Sequence, residues 1–393
     1  MKVKITSCWF DTPYADYTDG LRRSLERSLG TEVGVIATNC GCGDLAEIDR
    51  RFKNSRCDYF ELPQINYYRS VNPIKRWLRL KGCQLLHRQR AKQYLKRSDD
   101  ADVLHFQQVL YATGSIPVFN WLSLASKAAR VVTVHELDPY QRDYPEANLQ
   151  YNLADRVIVH TRELKQSLIS LGVDGERIDI VEHGVEIHPV SDEARQGIIF
   201  YGGHKLYKGK GLDVLFQAMA LLKERLGPDT PQLKIHGPYG SPQLGYQYAS
   251  EAGIADNVRW LHLIRLEETV LEYQRSLLCV LPFTGGFAGF PAANAMANGL
   301  PVIGTRCAGL PEHLGEAGTW IEKNDPKGLA DAISDLLSNE ALRQDIAAKG
   351  RKRAETLLSW DAIARKTLAS YEKAILNRQQ RSDAVARASK QRV

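Results

Sequence analysis

The chain has 393 residues, of which 44% are apolar and 25% are charged, and its formal net charge is +6. These proportions are typical of globular proteins and exclude a disordered chain, a collagen and a coiled coil. Seven cysteines without zinc-site spacing indicate neither a disulfide scaffold nor a zinc protein, so we expect a reduced, cytoplasmic compartment. No run of 18 apolar residues and no signal-peptide pattern is present, so we expect no membrane span and no export signal.

Short β-rich runs alternate with helical runs in the first half of the chain. Leu21, Leu25 and Leu29 recur every four residues, which predicts a helix over residues 19–29. Strands are predicted at residues 2–9, 32–38, 102–106, 130–135, 156–160 and 177–182. Strands that alternate with helices in this way predict a parallel sheet covered by helices on both faces.

The same alternation restarts after a polar stretch at residues 189–196. Strands are predicted at residues 197–202, 232–236, 257–262, 277–281 and 300–305, with a helix at 211–226. Residues 325–376 have a helical pattern, and Trp360 opens the last helix. We therefore expect Rossmann-like domains at residues 1–190 and 191–360, a helix at 361–377 that packs back on the first domain, and a disordered basic tail at 378–393.

The glycine-rich loop at residues 202–211 has the composition of an anion site. It follows a predicted strand, opens a helix and carries Lys205, Lys208 and Lys210. Backbone NH groups at a helix N-terminus bind phosphate well, although a glycine turn with solvated lysines is an alternative. Five residues separate Gly203 from the Gly-Lys pair and no Ser or Thr follows, so the loop is not that of a nucleoside triphosphatase.

A second glycine-rich segment covers residues 281–311. Gly285, Gly286 and Gly289 follow a predicted strand, and a helix of small residues begins near Pro291. Its N-terminus would direct NH groups at a phosphate or a sugar hydroxyl in a cleft between the domains. His313, which follows this segment, and His183 near the boundary are expected to hold loops in place.

Other motifs argue against a dehydrogenase and against a metal site. No Gly-x-Gly-x-x-Gly follows the first strand, which disfavours a dehydrogenase. Asp100 and Asp102 precede a strand instead of following one, so we expect a solvated strand start and no metal site.

Five motifs, in order along the chain, resemble those of GT-B glycosyltransferases of the large retaining class called family 4. They are ADVLHFQQ at 101–108, VVTVHELDP at 131–139, the segment at 154–186 that ends in EHGVE, FYGGHKLYKGKGLDVL at 200–215 and AMANGLPVIGT at 295–305. The resemblance implies an α/β GT-B fold, in which two Rossmann-like domains enclose a deep interdomain cleft. It also implies retaining transfer of a hexose from a nucleotide-sugar to a hydroxyl acceptor.

The resemblance also assigns site residues. It implies donor contacts at Gly20, Gly203, Gly286, Phe287, Ala288 and Asn294 and catalytic roles for His135, Lys205 and Lys210. The two lysines would stabilise the leaving diphosphate without a metal ion, and no cofactor is expected beyond a UDP- or GDP-linked donor as substrate. A strand-end histidine such as His135 has a structural alternative, as a buried hydrogen-bonding group.

The family's Glu-x7-Glu motif is absent. Its two positions hold Gly286 and Asn294, and no Asp or Glu occurs from Tyr273 to Pro311. Asn294 can still bind a ribose hydroxyl, whereas Gly286 offers only backbone. Three interpretations remain open: a hexosyltransferase of surface polysaccharide or glycolipid synthesis, a non-catalytic GT-B scaffold, and a sugar-nucleotide hydrolase or epimerase of the same fold.

A strongly basic stretch runs from Arg69 to Arg97, with ten Lys or Arg and no acidic residue. Basic residues beside apolar ones favour a helix on an anionic membrane surface, from which a lipid-linked acceptor would be reached, although a solvated helix is an alternative. No nucleic-acid motif accompanies the charge, so we expect no nucleic-acid partner and a cytoplasmic protein peripheral to the membrane.

Overall fold

A computed structural model describes residues 1–7, 13–39, 56–61, 100–107, 127–137, 151–191, 194–202, 209–237, 242–262, 266–285, 289–307 and 309–390. The chain divides into two compact units, Met1–Val181 with Trp360–Val393, and Glu182–Ser359. The chain thus passes from the first unit to the second after Val181, whereas the sequence placed this boundary in the polar stretch at 189–196. Trp360 begins the returning helix, as the sequence predicts.

The first unit is built on a parallel sheet of seven strands. They are β1 (Lys2–Ser7), β2 (Glu32–Asn39), β3 (Arg56–Glu61), β4 (Val103–Gln107), β5 (Ala129–Val134), β6 (Arg156–Val159) and β7 (Ile178–Ile180). Their order is β3-β2-β1-β4-β5-β6-β7. The helices described around it are α1 (Pro13–Leu29), α2 (Arg162–Ser170) and α10 (Trp360–Lys390). The edge strand β3 was not predicted from the sequence.

Helix α1 begins earlier than its leucine pattern predicts. Leu21 and Leu25 are fully buried, and so is Tyr17, which extends the same spacing by one turn. These three side chains share a core with Ile363 and Tyr371 of α10. The pairing of α1 with α10 therefore holds the returning chain in the first unit.

Helix α10 continues to Lys390, so the prediction of a disordered tail is wrong for residues 378–390. Arg381 lies 3.3 Å from the carboxylate of Asp155, which is fully buried and also pairs with Arg130 at 3.2 Å. Asn377 donates to the backbone carbonyl of Asp155 at 3.0 Å. A buried carboxylate that needs cationic partners thus anchors a segment whose composition alone suggests disorder.

The second unit repeats the architecture with a parallel sheet of six strands. They are β8 (Ile198–Tyr201), β9 (Leu233–His236), β10 (Val258–His262), β11 (Leu278–Leu281), β12 (Val302–Thr305) and β13 (Gly318–Ile321), in the order β10-β9-β8-β11-β12-β13. The helices described are α3 (Leu212–Leu226), α4 (Pro242–Glu251), α5 (Leu266–Gln274), α6 (Gly289–Ala297), α7 (Leu310–Leu314), α8 (Pro326–Ser338) and α9 (Glu340–Arg353), with a π-helix at Ala354–Leu358. Strand β13 was not predicted from the sequence.

Candidate functional site

The strand order of the second unit contains a topological switch point. Strands β8 and β11 are neighbours, and the chain leaves them toward opposite edges of the sheet. In open α/β sheets, ligands bind outside the carboxyl ends of the strands at such a point. The glycine-rich loop at 202–211 follows β8, and the loop at 282–285 follows β11. The described parts of both segments selected from the sequence therefore lie at this place.

Direct backbone hydrogen bonds join the two loops. The carbonyl of Gly209 accepts from the backbone NH groups of Thr284 at 2.8 Å and Gly285 at 3.2 Å. Gly211 has a φ of +70°, and a Cβ there would lie 2.8 Å from the carbonyl carbon of Pro282 and nearer still to its oxygen. Only glycine allows this conformation and this close approach.

Lys210 lies between these glycines, at the start of α3. Its Nζ is 4.2 Å from the centroid of the Phe283 ring, a cation–π contact that directs the lysine toward the loop after β11. The N-cap of α3 is Gly211, so no side chain there accepts from the first NH groups of the helix. A lysine beside a helix N-terminus without a side-chain cap is a suitable arrangement for an anion. Gly203, Lys205 and Lys208 lie outside the described residues.

Helix α6 carries Asn294, one of the two positions that replace the Glu-x7-Glu carboxylates. Asn294 is 5% exposed, and its Nδ2 donates to the Phe290 carbonyl one turn earlier at 2.9 Å. Its Oδ1 has no hydrogen-bond partner within the described parts of the chain, so one acceptor remains for a ligand hydroxyl. Gly286, Phe287 and Ala288 lie outside the described residues.

Two arginines bind the carbonyl groups of the last residue of α6 and of the two residues after it. Arg195 donates to the carbonyls of Asn298 and Gly299, each at 3.0 Å, and Arg351 donates to the carbonyl of Ala297. Cations at this end satisfy carbonyls that have no partner within the helix and complement its dipole. The sequence pattern did not identify either arginine, because neither belongs to a recognisable motif.

The loop after β11 is braced from the end of β12. Thr305 Oγ1 donates to the carbonyl of Phe283, and Cys307 Sγ donates to the same oxygen at 2.9 Å. These two bonds hold the backbone of Phe283, and with it the position of the ring that Lys210 contacts. A hydroxyl on the last residue of a buried strand and a thiol two residues later are the sequence signal that could have suggested these contacts.

His313 and His183 hold neighbouring loops, as the sequence predicts. His313 Nδ1 donates to the carbonyl of Gly309 at 3.0 Å, and its Nε2 accepts from the backbone NH of His183 at 3.4 Å. Burial lowers the pKa of His313. Its ring therefore stays neutral, which this donor–acceptor arrangement requires.

His135 follows β5, as predicted, but both of its ring nitrogens are used inside the first unit. Nε2 lies 2.9 Å from Gln107 Oε1, and Nδ1 lies 2.8 Å from His160 Nε2. His160 Nδ1 in turn donates to the carbonyl of Val181 at 2.8 Å. In this conformation no ring nitrogen of His135 is left to contact a substrate, so the structure favours the buried hydrogen-bonding alternative over the catalytic one.

The network extends to the C-terminal helix through His105. Its Nδ1 lies 2.7 Å from the Tyr371 hydroxyl and its Nε2 2.7 Å from Thr133 Oγ1. Burial lowers the pKa of His105 to about 3, so the ring is neutral. The sequence did not suggest this network, although Gln107 and His160 both lie at the carboxyl ends of predicted strands.

Gly20 lies inside α1, and its surroundings favour a packing role over the predicted donor-binding role. It is buried within α1, and a Cβ there would lie 2.6 Å from Trp360 Cζ2 and closer to two further indole atoms. Its backbone NH lies well inside the helix, where it is used by the helix itself. The tryptophan of α10 therefore explains this glycine.

The sequence also yields predictions for the two aspartates before β4, for metal binding and for the basic stretch. Asp100 is exposed and pairs with Lys2 at 3.4 Å, and Asp102 accepts from the backbone NH of Lys2 at 2.7 Å, which confirms a solvated strand start. Over the described ranges, no three His, Cys, Asp or Glu side chains group so that they could hold a metal ion. The basic stretch from Arg69 to Arg97 lies outside the described residues.

Family models match consecutive parts of the chain. One described as Glycosyltransferase Family 4 matches residues 15–188, and one described as Glycosyl transferases group 1 matches residues 195–339. The matches fall in both compact units. The chain belongs to glycosyltransferase family 4.

This family 4 member is 32% identical over 243 residues to the D-inositol 3-phosphate glycosyltransferase of Mycolicibacterium smegmatis. The matched region covers 56% of this chain and 54% of the relative. It is 29% identical over 248 residues to the protein of the same name from Corynebacterium glutamicum, with 57% and 58% covered. The chain thus spans little more than half the length of these curated relatives.

A solved structure, Anabaena HepE in complex with UDP and glucose, matches this family 4 member with a TM-score of 0.72 at 13% identity, over 95% of this chain and 99% of that chain. The likeness confirms the predicted α/β GT-B fold class. No helix in the described parts of this family 4 member combines the length and apolarity needed to cross a bilayer.

Proposed function

We propose that this chain is a retaining hexosyltransferase. It moves a hexose from a UDP- or GDP-linked donor to a hydroxyl acceptor in surface polysaccharide or glycolipid synthesis. The observation that carries the proposal is the junction of the two glycine loops at the β8–β11 switch point, with Lys210 beside the start of α3. The names of the relatives, which are glycosyltransferases, and of a neighbour that binds UDP and glucose support it.

The difficult step is the departure of a nucleoside diphosphate. The bond from the anomeric carbon to the diphosphate oxygen breaks, and negative charge develops on that oxygen. Lys210 and the NH groups at the start of α3 would stabilise this charge, as fixed donors do in other active sites. Lys205, which is outside the described residues, is the second cation assigned to this task.

Retention follows if the acceptor attacks from the face that the diphosphate leaves. The acceptor hydroxyl forms the new carbon–oxygen bond, and its proton goes to the departing diphosphate oxygen. No protein nucleophile or base is needed for this balance. His135 then has a positioning role through its bonds to Gln107 and His160 instead of contact with the sugar.

Asn294 is proposed as the anchor of the donor ribose. Its Nδ2 already serves the Phe290 carbonyl, which leaves Oδ1 to accept from one ribose hydroxyl. The backbone of Gly286 replaces a carboxylate that would otherwise contact the donor sugar. Sugar recognition is then weaker than in family members that keep both glutamates, but the leaving-group chemistry is retained.

Isothermal titration with UDP and GDP tests the donor site. Lys210→Ala should weaken nucleotide binding by about 1.5–3 kcal/mol, the range for a hydrogen bond to a charged group. Lys223→Ala is the matched control, because Lys223 lies in the last turn of the same helix and donates to the Gly253 carbonyl at 2.8 Å. Equal nucleotide affinity in the wild-type protein and Lys210→Ala would contradict the assignment.

We also propose that turnover needs no metal ion, since the loops after β8 and β11 bring no carboxylate cluster to the donor. Activity with a UDP- or GDP-hexose should be unchanged after EDTA treatment. Magnesium and manganese prefer several oxygen ligands, which residues 273–311 do not supply as carboxylates. Loss of activity on chelation, with recovery on added manganese, would refute this part of the proposal.

A non-catalytic scaffold is the second candidate, and the replacement of both motif glutamates favours it. It predicts no nucleotide binding by the wild-type protein, so Lys210→Ala and Asn294→Ala would leave nucleotide binding unchanged.

The proposed acceptor is a sugar or a lipid-linked sugar, reached from an anionic membrane surface through the stretch from Arg69 to Arg97. Binding to anionic vesicles, lost when this stretch is neutralised, tests that feature separately.

A further inference from the structure

An aromatic cluster holds the first turn of α6, the helix that carries Asn294. The ring of Phe290 makes an edge-to-face contact with His183, at 5.1 Å between ring centroids and 71° between ring planes. It also contacts the ring of Tyr201, at 5.9 Å and 63°. Edge-to-face pairs of this kind stabilise a structure beyond the area that they bury. Side chains from outside the helix therefore hold the first turn of α6.

Both neighbours of Phe290 are themselves fixed. Tyr201 ends β8 and stacks at 4.3 Å and 9° on His236, which ends β9. His183 is 4% exposed, and its backbone NH donates to His313 Nε2 at 3.4 Å. These contacts leave the His183 ring little freedom to move away from Phe290.

The first turn of α6 depends on such support because a helix start lacks part of its internal hydrogen bonding. The helix has nine residues, its first NH groups have no partner within it, and Pro291 in this turn has no NH at all. The hydroxyl of Tyr273 in α5 donates to the Pro291 carbonyl at 3.4 Å, which is a long bond. We therefore expect the ring contacts of Phe290 to set where this turn lies.

Asn294 takes its orientation from the same turn. Its Nδ2 donates to the Phe290 carbonyl at 2.9 Å, so the amide follows the backbone of Phe290. Because the amide group is planar, a fixed Nδ2 also fixes the direction of Oδ1, the acceptor assigned to the donor ribose. A displacement of the Phe290 ring that moves its backbone therefore redirects this acceptor.

We propose that His183 is a positioning residue of the donor site. Its ring keeps the first turn of α6 where Asn294 Oδ1 accepts from a ribose hydroxyl, and it thereby contributes to the selection of a nucleotide that carries ribose hydroxyls. His183 itself touches no substrate in this role. The inference rests on the proposed function and adds to it a residue that the sequence assigned only to holding a loop.

Calorimetric titration of the full chain tests this role with whichever of UDP and GDP binds the wild-type protein, and with the dideoxy analogue of that nucleotide. The analogue keeps the base and the diphosphate but lacks the ribose hydroxyls, so the ratio of the two dissociation constants reports the ribose contact. His183→Asn removes the ring but keeps a side-chain NH for the Gly184 carbonyl, to which His183 Nδ1 donates at 2.9 Å. His183→Phe keeps the ring and removes that hydrogen bond.

His183→Asn should weaken binding of the nucleotide about three- to tenfold, the range for an aromatic pair, and leave the affinity for the dideoxy analogue unchanged. His183→Phe should bind both ligands as the wild-type protein does. In an Asn294→Ala background, His183→Asn should cause no further loss, because both changes remove the same contact. Tyr246→Asn is the control, since it removes one ring of the edge-to-face pair with Trp260, at 4.9 Å, and should leave both affinities unchanged.

The outcomes separate this inference from the proposed function. If the wild-type protein binds neither UDP nor GDP, the proposed function is overturned and the inference with it. If it binds a nucleotide and His183→Asn leaves the ratio of dissociation constants unchanged, the inference alone is overturned and His183 has only a structural role. A reduced ratio in His183→Phe, or additive losses with Asn294→Ala, would overturn it as well. If His183→Asn does not fold, Phe290→Leu, which removes the other ring of the pair, decides by the same ratio.

Discussion

Replacing Gly20 by alanine tests whether a tryptophan or a ligand requires this glycine. The added Cβ would lie 2.6 Å from Trp360 Cζ2, far inside the ordinary contact distance, and the indole belongs to a buried core. Because Gly20 and Trp360 are held by α1 and α10, one of the two helices must shift. The donor-binding interpretation of Gly20 predicts no such steric conflict.

The size of the effect combines two opposing contributions. Overpacking of a buried site costs about 1–3 kcal/mol, and the upper part of that range applies because a rigid indole cannot move aside. Alanine in a helix returns about 1 kcal/mol relative to glycine. The net loss of unfolding free energy should therefore be about 2 kcal/mol, which lowers the Tm of a unit of this size by about 4–8 °C.

Differential scanning calorimetry and urea unfolding measure this loss, and UDP titration of the same variant measures donor binding. Gly350→Ala is the control, because Gly350 is also a buried helical glycine and its new Cβ would meet the flexible Met296 side chain at 3.1 Å. Gly20→Ala combined with Trp360→Ala should lose less stability than the two single changes added together.

The opposite pattern would refute the packing argument. A Gly20→Ala protein with unchanged or raised Tm would show that the indole does not occupy the space beside α1. Normal stability with weakened UDP binding would restore the donor-binding interpretation that the sequence suggested.

Two further predictions concern Asn294 and His105. Asn294→Ala should weaken UDP binding by about 1 kcal/mol, while Asn294→Glu should keep or improve it because a carboxylate accepts from both ribose hydroxyls; equal affinity of all three proteins in calorimetry would contradict the ribose assignment. Burial lowers the pKa of His105 to about 3. The unfolded chain therefore takes up this proton first, near pH 6.5, so the contribution of His105 to the free energy of unfolding should fall by about 1.4 kcal/mol per pH unit from there toward pH 3 and stay constant above it. Urea unfolding of His105→Gln should show a shallower acid slope than the wild-type protein, and identical slopes would count against the buried neutral ring.

The sequence by itself determined the fold class and the location of the glycine loops along the chain. Strands and helices can be predicted from local hydrophobic periodicity, and a loop that follows a buried parallel strand must lie at the carboxyl end of that strand. This is why the loop with Lys210 and the segment before Asn294 could be selected without any coordinates. The first strand of each unit and the start of the last helix at Trp360 were predictable for the same reason.

Only the tertiary structure decided which of these groups meet. Strand order places β11 beside β8, and no periodicity encodes that adjacency. The bonds of His135 depend on side chains from β4 and from the segment after β6, and the fit of Gly20 depends on Trp360 near the other end of the sequence. A local sequence pattern indicates the burial of one segment at a time, whereas contacts between distant segments depend on how whole helices and strands pack. The surroundings of His135 and Gly20 consist of such contacts, so only the tertiary structure could show them.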